Sequence, residues 1–271
     1  MAVNLFRGVR FFARALRLRF QLTPIDRRSP FNGVLSDQGF RELNLDKSIF
    51  SDLLKLYESN PGKNLYFSAD DYQTVDNLFL DVAPQVKSYL GERAYLDGMM
   101  WVVTDAIQGS KRGASNWHTD NVGNRVRLFL CIKGDGTQPT LIVPTKRRIP
   151  DFKEWMTNTL LETIRWMGFK FKKKFSNVVE MRHKTGSAFL WDSQLFHRAG
   201  HETGRSDRII LSIEFSVPEK HKIAKGPIGT KEHLEFSFDN QLLESNAFSS
   251  ILDRDRLKPD GASLVYTENV L

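Results

Sequence analysis

One pattern constrains the fold of this chain more than any other: a His-x-Asp pair, His118 and Asp120, with a candidate partner, His197, far downstream. Residues two apart on a β-strand project from the same face, so His118 and Asp120 can reach one metal ion together. A third ligand from a distant segment then requires sheets that bring the two parts of the chain side by side. Two imidazoles and one carboxylate on one face of a metal are typical of non-haem Fe(II) oxygenases. The sequence therefore predicts that His118, Asp120 and His197 bind Fe(II).

The segments around these residues have the composition of β-strands. Apolar runs lie before and after the pair, at residues 99–103 and 126–132. A third run, at residues 186–191, leads towards His197, and a fourth covers residues 208–215. Short apolar runs bounded by polar turns predict strands. Many short strands around a pocket, preceded by helices, favour a mainly β fold of jelly-roll type with packed helices.

Other histidines compete for the metal-ligand roles. His233 and Glu235 form a second His-x-acid pair, but no histidine follows His233 to serve as its distal ligand. His201 is an alternative to His197. It lies in a polar stretch, residues 200–204, and lacks the apolar lead-in that precedes His197. We therefore prefer His197 as the distal ligand.

The stretch from Trp117 to Asp120 resembles the Trp-His-x-Asp motif of the phytanoyl-CoA dioxygenase family of Fe(II)/2-oxoglutarate oxygenases. His197, followed eleven residues later by Arg208, is similar to that family's distal ligand and 2-oxoglutarate anchor. The resemblance covers roughly residues 95–216. It implies a double-stranded β-helix with Fe(II) and 2-oxoglutarate as cofactors.

The chain also departs from the family pattern. Residues 137–144 resemble the family's Asn-Gly-x-Leu-x-x-x-Pro segment but lack the Asn-Gly pair. Residues 145–147 are Thr-Lys-Arg where the family has Gly-Ser-His. Some members carry a serine two residues after the distal histidine, where this chain has Ala199. The second contact to the far carboxylate of 2-oxoglutarate is therefore left open.

The resemblance implies roles for two further residues. Arg208 would bind the C5 carboxylate of 2-oxoglutarate, because a planar guanidinium can grip a carboxylate with two hydrogen bonds. Arg205 is the alternative for this role. Asn121, directly after the carboxylate ligand, could hydrogen-bond the cosubstrate, although an asparagine there also suits a turn. The implied reaction uses O2 to hydroxylate a small-molecule or lipid-like metabolite, with release of succinate and CO2. The carboxylate of Asp120 favours hydroxylation over halogenation.

Residues near the ligands are candidates for shaping the substrate pocket. Trp117 and Trp191 could wall the site, although large aromatic residues beside strands usually belong to the core. Loops shape pockets on scaffolds of this kind. The loop at residues 105–116 and the helical insertion near 150–175 are therefore the candidates for a substrate lid.

The chain divides into three parts. Residues 1–22 form a basic amphipathic helix, residues 23–220 the oxygenase domain, and residues 221–271 a polar C-terminal extension. Within the domain we expect an irregular stretch at residues 23–45 and a helix at 46–58. A second helix begins at Ser68 and should be kinked or split by Pro84. A further helix begins near Asp151, which with Glu154 resembles a capping box.

The formal net charge of +7 is concentrated in two segments. Residues 1–20 contain five arginines and no acid, and residues 146–184 contain eleven Lys and Arg against four acids. The first segment could lie on an anionic membrane, act as a transit peptide, or pack on the domain with its arginines solvated. Confinement of the charge to two segments makes a broad nucleic-acid groove an unfavoured interpretation.

Cysteine content and hydropathy indicate the compartment. Cys131 is the only cysteine, so no intrachain disulfide can form, which fits a reducing compartment. No stretch of the sequence is apolar and long enough to predict a transmembrane helix. We expect a cytoplasmic protein, with peripheral membrane contact through residues 1–20 as an option.

Two alternatives to the oxygenase remain: a catalytically retired scaffold that binds membranes, and a metal-bearing cupin enzyme that does not use 2-oxoglutarate.

Overall fold

The computed structural model describes residues 5–21, 32–61, 65–104, 117–118, 125–146, 152–167, 169, 175–200, 207–217, 230–252 and 263–270. The described helices are α1 (Leu5–Gln21), α2 (Leu35–Gln38), α3 (Lys47–Ser59), α4 (Tyr72–Leu90), α5 (Phe152–Trp166) and α6 (Asn246–Ser249), with 3-10 turns at Ala69–Asp71 and Asn240–Glu244. The strands are β1 (Phe40–Leu43), β2 (Leu65–Phe67), β3 (Tyr95–Thr104), β4 (Val126–Lys133), β5 (Thr140–Ile142), β6 (Val179–Met181), β7 (Ala188–Asp192), β8 (His197–Ala199), β9 (Arg208–Ser216), β10 (Thr230–Phe238) and β11 (Ser263–Val270).

The strands form a jelly roll. The larger sheet has the order β1-β7-β4-β9-β3 and is antiparallel throughout. The smaller sheet has the order β6-β5-β8, and a β-bridge between His118 and His197 adds the segment at residues 117–118 to its edge. Between β4 and β9 the chain passes four times from one of these sheets to the other, and a third sheet has the order β11-β10-β2. The predicted mainly β, double-stranded β-helix architecture is confirmed.

The two faces of the larger sheet differ in what they bury. Along β9, Ile209, Leu211, Ile213 and Phe215 belong to the main core that the helices cover. The alternate residues of β9 therefore face the smaller sheet. A second apolar cluster fills the space between the sheets and contains Ile142, Met181, Phe189, Trp191 and Leu195. Side chains that point to the same side of their sheet as this cluster line the interior of the barrel.

Local capping signals fix the helices on the outer face. The Asp46 carboxylate accepts a hydrogen bond from the Ser48 amide at 2.8 Å and begins α3, which confirms the predicted helix. The Asp71 carboxylate accepts from the Ser68 amide at 2.7 Å in a capping box before α4. Such caps satisfy backbone donors that have no partner inside the helix.

Helix α4 is not split at Pro84, in contrast to one of the outcomes expected from the sequence. The helix is continuous from Tyr72 to Leu90 and contains the proline. One face of α4, including Val75, Phe79 and Val82, is fully buried in the main core. Burying several large side chains contributes more than the roughly 3 kcal/mol that an interior proline costs, so the helix persists.

Two stretches contain more structure than the sequence indicated. Residues 23–45 include α2 and strand β1, which pairs with β7. In the C-terminal part, β10 pairs in parallel with β2, and Phe238 and Phe248 are fully buried. The Phe248 ring lies 5.2 Å from the Phe79 ring of α4. Residues 238–252 therefore complete the main core, while the division of the chain at residues 22 and 220 stays a prediction.

None of the described helices combines the length and the apolarity that crossing a bilayer requires.

Candidate metal and cosubstrate site

Two of the three predicted metal ligands lie side by side. His118 and His197 form an antiparallel bridge, in which the His118 amide donates to the His197 carbonyl at 2.9 Å and the reverse bond is 2.8 Å. The centroids of their rings are 4.2 Å apart. His197 is in register with Ile142 of the interior cluster, so both imidazoles face the barrel. Two rings at this separation can bind one ion.

The His197 ring is held in a form suited to metal binding. Its Nδ1 lies 2.9 Å from the Leu195 carbonyl oxygen, which can only accept a hydrogen bond. Nδ1 therefore carries the proton, and in the neutral ring Nε2 carries the lone pair. A histidine ligand whose other nitrogen donates to a backbone carbonyl is common in metal sites, because the contact fixes the tautomer and the ring orientation.

The predicted carboxylate ligand, Asp120, lies outside the described residues, as do Asn121 and the alternatives His201 and Arg205. Within the described ranges, no group of three His, Cys, Asp or Glu residues could hold a metal ion. The structure thus brings together His118 and His197, and the assignment of Asp120 and Asn121 stays a prediction.

The two tryptophans singled out in the sequence lie on different faces. Trp191 is buried inside the barrel, with its ring 4.7 Å from the His197 ring. Trp117 precedes His118 and therefore points to the opposite face of the smaller sheet. There it packs on Phe175 at 4.8 Å, beneath the guanidinium of Arg198. Only Trp191 is placed to wall the site.

Arg208 lies at the far end of the same interior. It begins β9 and alternates with the helix-facing residues, so its side chain points between the sheets. Its Nη1 donates to the Gln138 carbonyl at 2.6 Å, just before β5. Burial lowers the pKa of Arg208, and the Cys131 thiol opposes this shift. An arginine keeps its charge under such a shift, so a cation is held inside the barrel.

Next to Arg208 is a hydroxyl–imidazole pair with no assigned role in the sequence interpretation. Thr140 is in register with Ala199, and its Oγ1 lies 2.9 Å from His183 Nε2. His183 is 1% exposed and sits between the rings of Phe129 and Phe189, each 5.8 Å away. Burial, and secondarily the charge of Arg208, lowers the pKa of His183 to about 3, so the imidazole is neutral.

An ionic cluster of one carboxylate and two arginines lies at the end of β9 that is remote from Arg208. Glu214 is buried and accepts from Arg127 Nε at 2.6 Å and from Arg125 Nη1 at 3.1 Å. Arg127 is in register with Trp191, so this cluster lies towards the histidine end of the barrel. It fixes the start of β4, directly after the undescribed stretch that contains Asp120. The sequence could have predicted that Arg208 and Glu214 share one face, because they are six residues apart on one strand. It carried no signal for His183, which lies in no recognisable motif.

Comparisons with known proteins report similarity at the level of solved structures. No protein-family model and no curated protein matches the chain. One similar structure is the non-heme monooxygenase ThoJ in its apo form, with a TM-score of 0.46 and 13% identity over 68% of this chain and 76% of that chain. Another is HygX from Streptomyces hygroscopicus with nickel and 2-oxoglutarate bound, with a TM-score of 0.43 and 11% identity over 73% of this chain and 87% of that chain. A third is the non-heme alpha ketoglutarate dependent epimerase SnoN from nogalamycin biosynthesis, with a TM-score of 0.41 and 12% identity over 77% and 84%.

Proposed function

We propose that this chain is an Fe(II)- and 2-oxoglutarate-dependent dioxygenase that hydroxylates a small-molecule or lipid-like metabolite. The observation that carries the proposal is the His118–His197 pair, whose rings are 4.2 Å apart on the interior face of a jelly roll. Arg208 supports it, because a partly buried cation at the other end of the interior can bind a dicarboxylate.

The donor set suits ferrous iron. His118 and His197 supply two neutral nitrogens, and Asp120, two residues after His118, would supply the carboxylate. Fe(II) with 2-oxoglutarate, when bound, supplies the activation of O2 that oxidises the substrate. The protein orients His197 through the Leu195 carbonyl and covers its ring with Trp191. A buried aromatic wall of this kind keeps water from the reacting centre.

The path from the histidines to Arg208 fits the length of the cosubstrate. Strand β8 runs from His197 to Ala199, a rise of roughly 7 Å. Gln138, whose carbonyl accepts from Arg208, lies next to Pro139, and the Pro139 carbonyl accepts from the Gly200 amide at 2.8 Å. The guanidinium is therefore tied to the end of β8 that is remote from His197. An extended five-carbon diacid spans a similar length.

Thr140 supplies the contact that Ala199 lacks. The two residues are directly opposite each other on neighbouring strands, so their side chains share a face. Within the described part of the chain, His183 Nδ1 has no hydrogen-bond partner. Buried N–H groups without a partner are rarer than unpaired acceptors, so we place the proton on Nε2. His183 then donates to Thr140, which would leave the threonine hydroxyl proton free to donate to the C5 carboxylate of a 2-oxoglutarate held by Arg208.

The test is an anaerobic titration of the purified protein with Fe(II) and then 2-oxoglutarate, followed by visible absorption. We expect the metal-to-ligand charge-transfer band of chelated 2-oxoglutarate. The band should be absent in His118→Ala and His197→Ala and should need more 2-oxoglutarate in Arg208→Ala. His233→Ala is the matched control, because it removes the histidine of the other His-x-acid pair.

The outcomes separate the alternatives. A folded wild-type protein that binds no iron would refute the oxygenase and favour a retired scaffold. Iron binding without a response to 2-oxoglutarate, and without an effect of Arg208→Ala, would instead favour a cupin enzyme that does not use this cosubstrate. With cofactor binding established, hydroxylation is tested by oxygen consumption and succinate release in the presence of candidate metabolites.

A further inference from the structure

Helix α1 packs on α5 through its small residues. A β-carbon placed on Gly8 would collide with Met167 Cγ and lie 3.0 Å from the Thr163 carbonyl oxygen, so the helices approach closely at this point. Ala15, two turns further along α1, is fully buried. The first half of α1 therefore lies beside the C-terminal end of α5. The expected packing of the helix on the domain therefore applies to the face that contains Gly8 and Ala15.

The large apolar residues at the start of α1 are left in solvent. Leu5, Phe6 and Val9 are 64%, 62% and 57% exposed. Phe169, which follows α5 at the same end of the helix pair, is 49% exposed. These four and Leu160 of α5 make up half of the large hydrophobic residues that are strongly exposed in the described part of the chain. A helix stabilised only by packing on its domain would bury such side chains in preference to glycine and alanine.

Positive charge adjoins the exposed start of α1 in the structure and follows Phe169 in the sequence. Helix α1 has no acidic residue in its first turn and contains five arginines without any acid. The Arg10 guanidinium lies 4.0 Å above the Phe6 ring, so charge and apolar surface are adjacent. In the sequence, Lys170 and residues 172–174, all lysines, come directly after Phe169. Positive charge on exposed apolar surface is the combination that binds anionic lipid headgroups and their underlying acyl chains.

From this arrangement we infer that Leu5, Phe6, Val9 and Phe169, together with Arg7 and Arg10, form a docking surface for an anionic lipid bilayer. The apolar side chains enter the headgroup region and the arginines bind lipid phosphates and carboxylates. This docking does not depend on the proposed reaction. It has a consequence for it, however, because the insertion that contains α5 ends at Phe175, which packs on Trp117 and Phe196 beside the two histidines. The docked helices are thus connected to the strands that carry the site, as a lipid-like substrate would require.

The experiment is co-sedimentation of the full chain with vesicles of phosphatidylcholine, with and without phosphatidylserine. The double variant Phe6→Glu with Val9→Glu changes two exposed side chains and therefore leaves folding intact, which thermal unfolding verifies. Leu80→Glu on α4 is the matched control, since Leu80 is 61% exposed and belongs to a different surface. No iron or 2-oxoglutarate is needed, so this test is independent of the oxygenase test.

We expect binding to the phosphatidylserine vesicles that falls at least tenfold in the double variant, weakens with added salt and is unchanged in Leu80→Glu. Absence of binding at low salt would overturn the inference. So would equal loss in Leu80→Glu, or equal binding to vesicles without phosphatidylserine, because the surface would then lack the stated selectivity. Binding to single- or double-stranded oligonucleotides in place of vesicles would show a nucleic-acid surface and would also overturn it.

Discussion

Replacing Thr140 by valine removes the hydroxyl of a partly buried side chain while keeping its branched shape. The hydroxyl has two tasks in the proposed site. It is the partner of His183 Nε2 at 2.9 Å, and in the proposed site it would donate to the C5 carboxylate of 2-oxoglutarate next to Arg208. Thr140→Val therefore has a consequence for folding and a separate consequence for cosubstrate binding.

The size of both effects follows from ordinary hydrogen-bond energies. A hydrogen bond to a charged group contributes about 1.5–3 kcal/mol, and 1.4 kcal/mol corresponds to a factor of ten in affinity. The Kd for 2-oxoglutarate should therefore rise by roughly 10- to 150-fold. His183 also loses its partner in a buried, aromatic environment, which lowers the free energy of unfolding by about 1–3 kcal/mol.

The assay is the anaerobic 2-oxoglutarate titration of the Fe(II)-loaded protein, together with urea unfolding. Thr140→Ser keeps the hydroxyl and should bind 2-oxoglutarate within a few-fold of the wild-type protein. Thr163→Val is a buried threonine control, whose hydroxyl donates to the Thr159 carbonyl at 2.7 Å within α5. If Thr140→Val loses stability but keeps the wild-type Kd, the hydroxyl serves only His183, and the proposed second contact to the carboxylate is wrong.

Four other predictions concern stability and reactivity. Glu214→Gln leaves the buried Arg125 and the partly buried Arg127 without their shared carboxylate and should cost about 3–5 kcal/mol in urea unfolding, whereas Glu180→Gln in a surface pair should cost at most about 1 kcal/mol. His183 has a folded pKa of about 3, below its unfolded value of roughly 6.5, so its contribution to stability is complete above about pH 6.5 and is lost as the pH falls towards 3. This loss, up to about 1.4 kcal/mol per pH unit, should be missing in the pH series of His183→Gln. Phe248→Ala should cost about 3–5 kcal/mol if the C-terminal part completes the core, and a smaller loss would contradict that role. Burial raises the pKa of Cys131 to about 12, so thiol reagents at neutral pH should modify the unfolded protein and leave the native protein unreacted.

Several parts of the fold were predictable because they depend on neighbours in the sequence. The caps at Asp46 and Ser68 are satisfied within three residues, so the starts of α3 and α4 follow from local chemistry. The strands around the histidines follow from the length of their apolar runs. Residues 238–252 were not predictable in the same way. Their place in the core depends on the contact of Phe248 with Phe79, which lies far away in the chain.

The candidate site shows the same division. The sequence by itself predicted that strands flank the His118 motif, that an apolar run leads to His197 and that Arg208 begins a later strand, because residue type and periodicity carry that information. Only the tertiary structure decided that Thr140 lies opposite Ala199, that His183 joins it, and that Trp191 rather than Trp117 faces the histidines. The physical reason is strand register. A shift of one residue turns every side chain to the other face of a sheet, and register is set by pairing between distant segments and by the burial of one face.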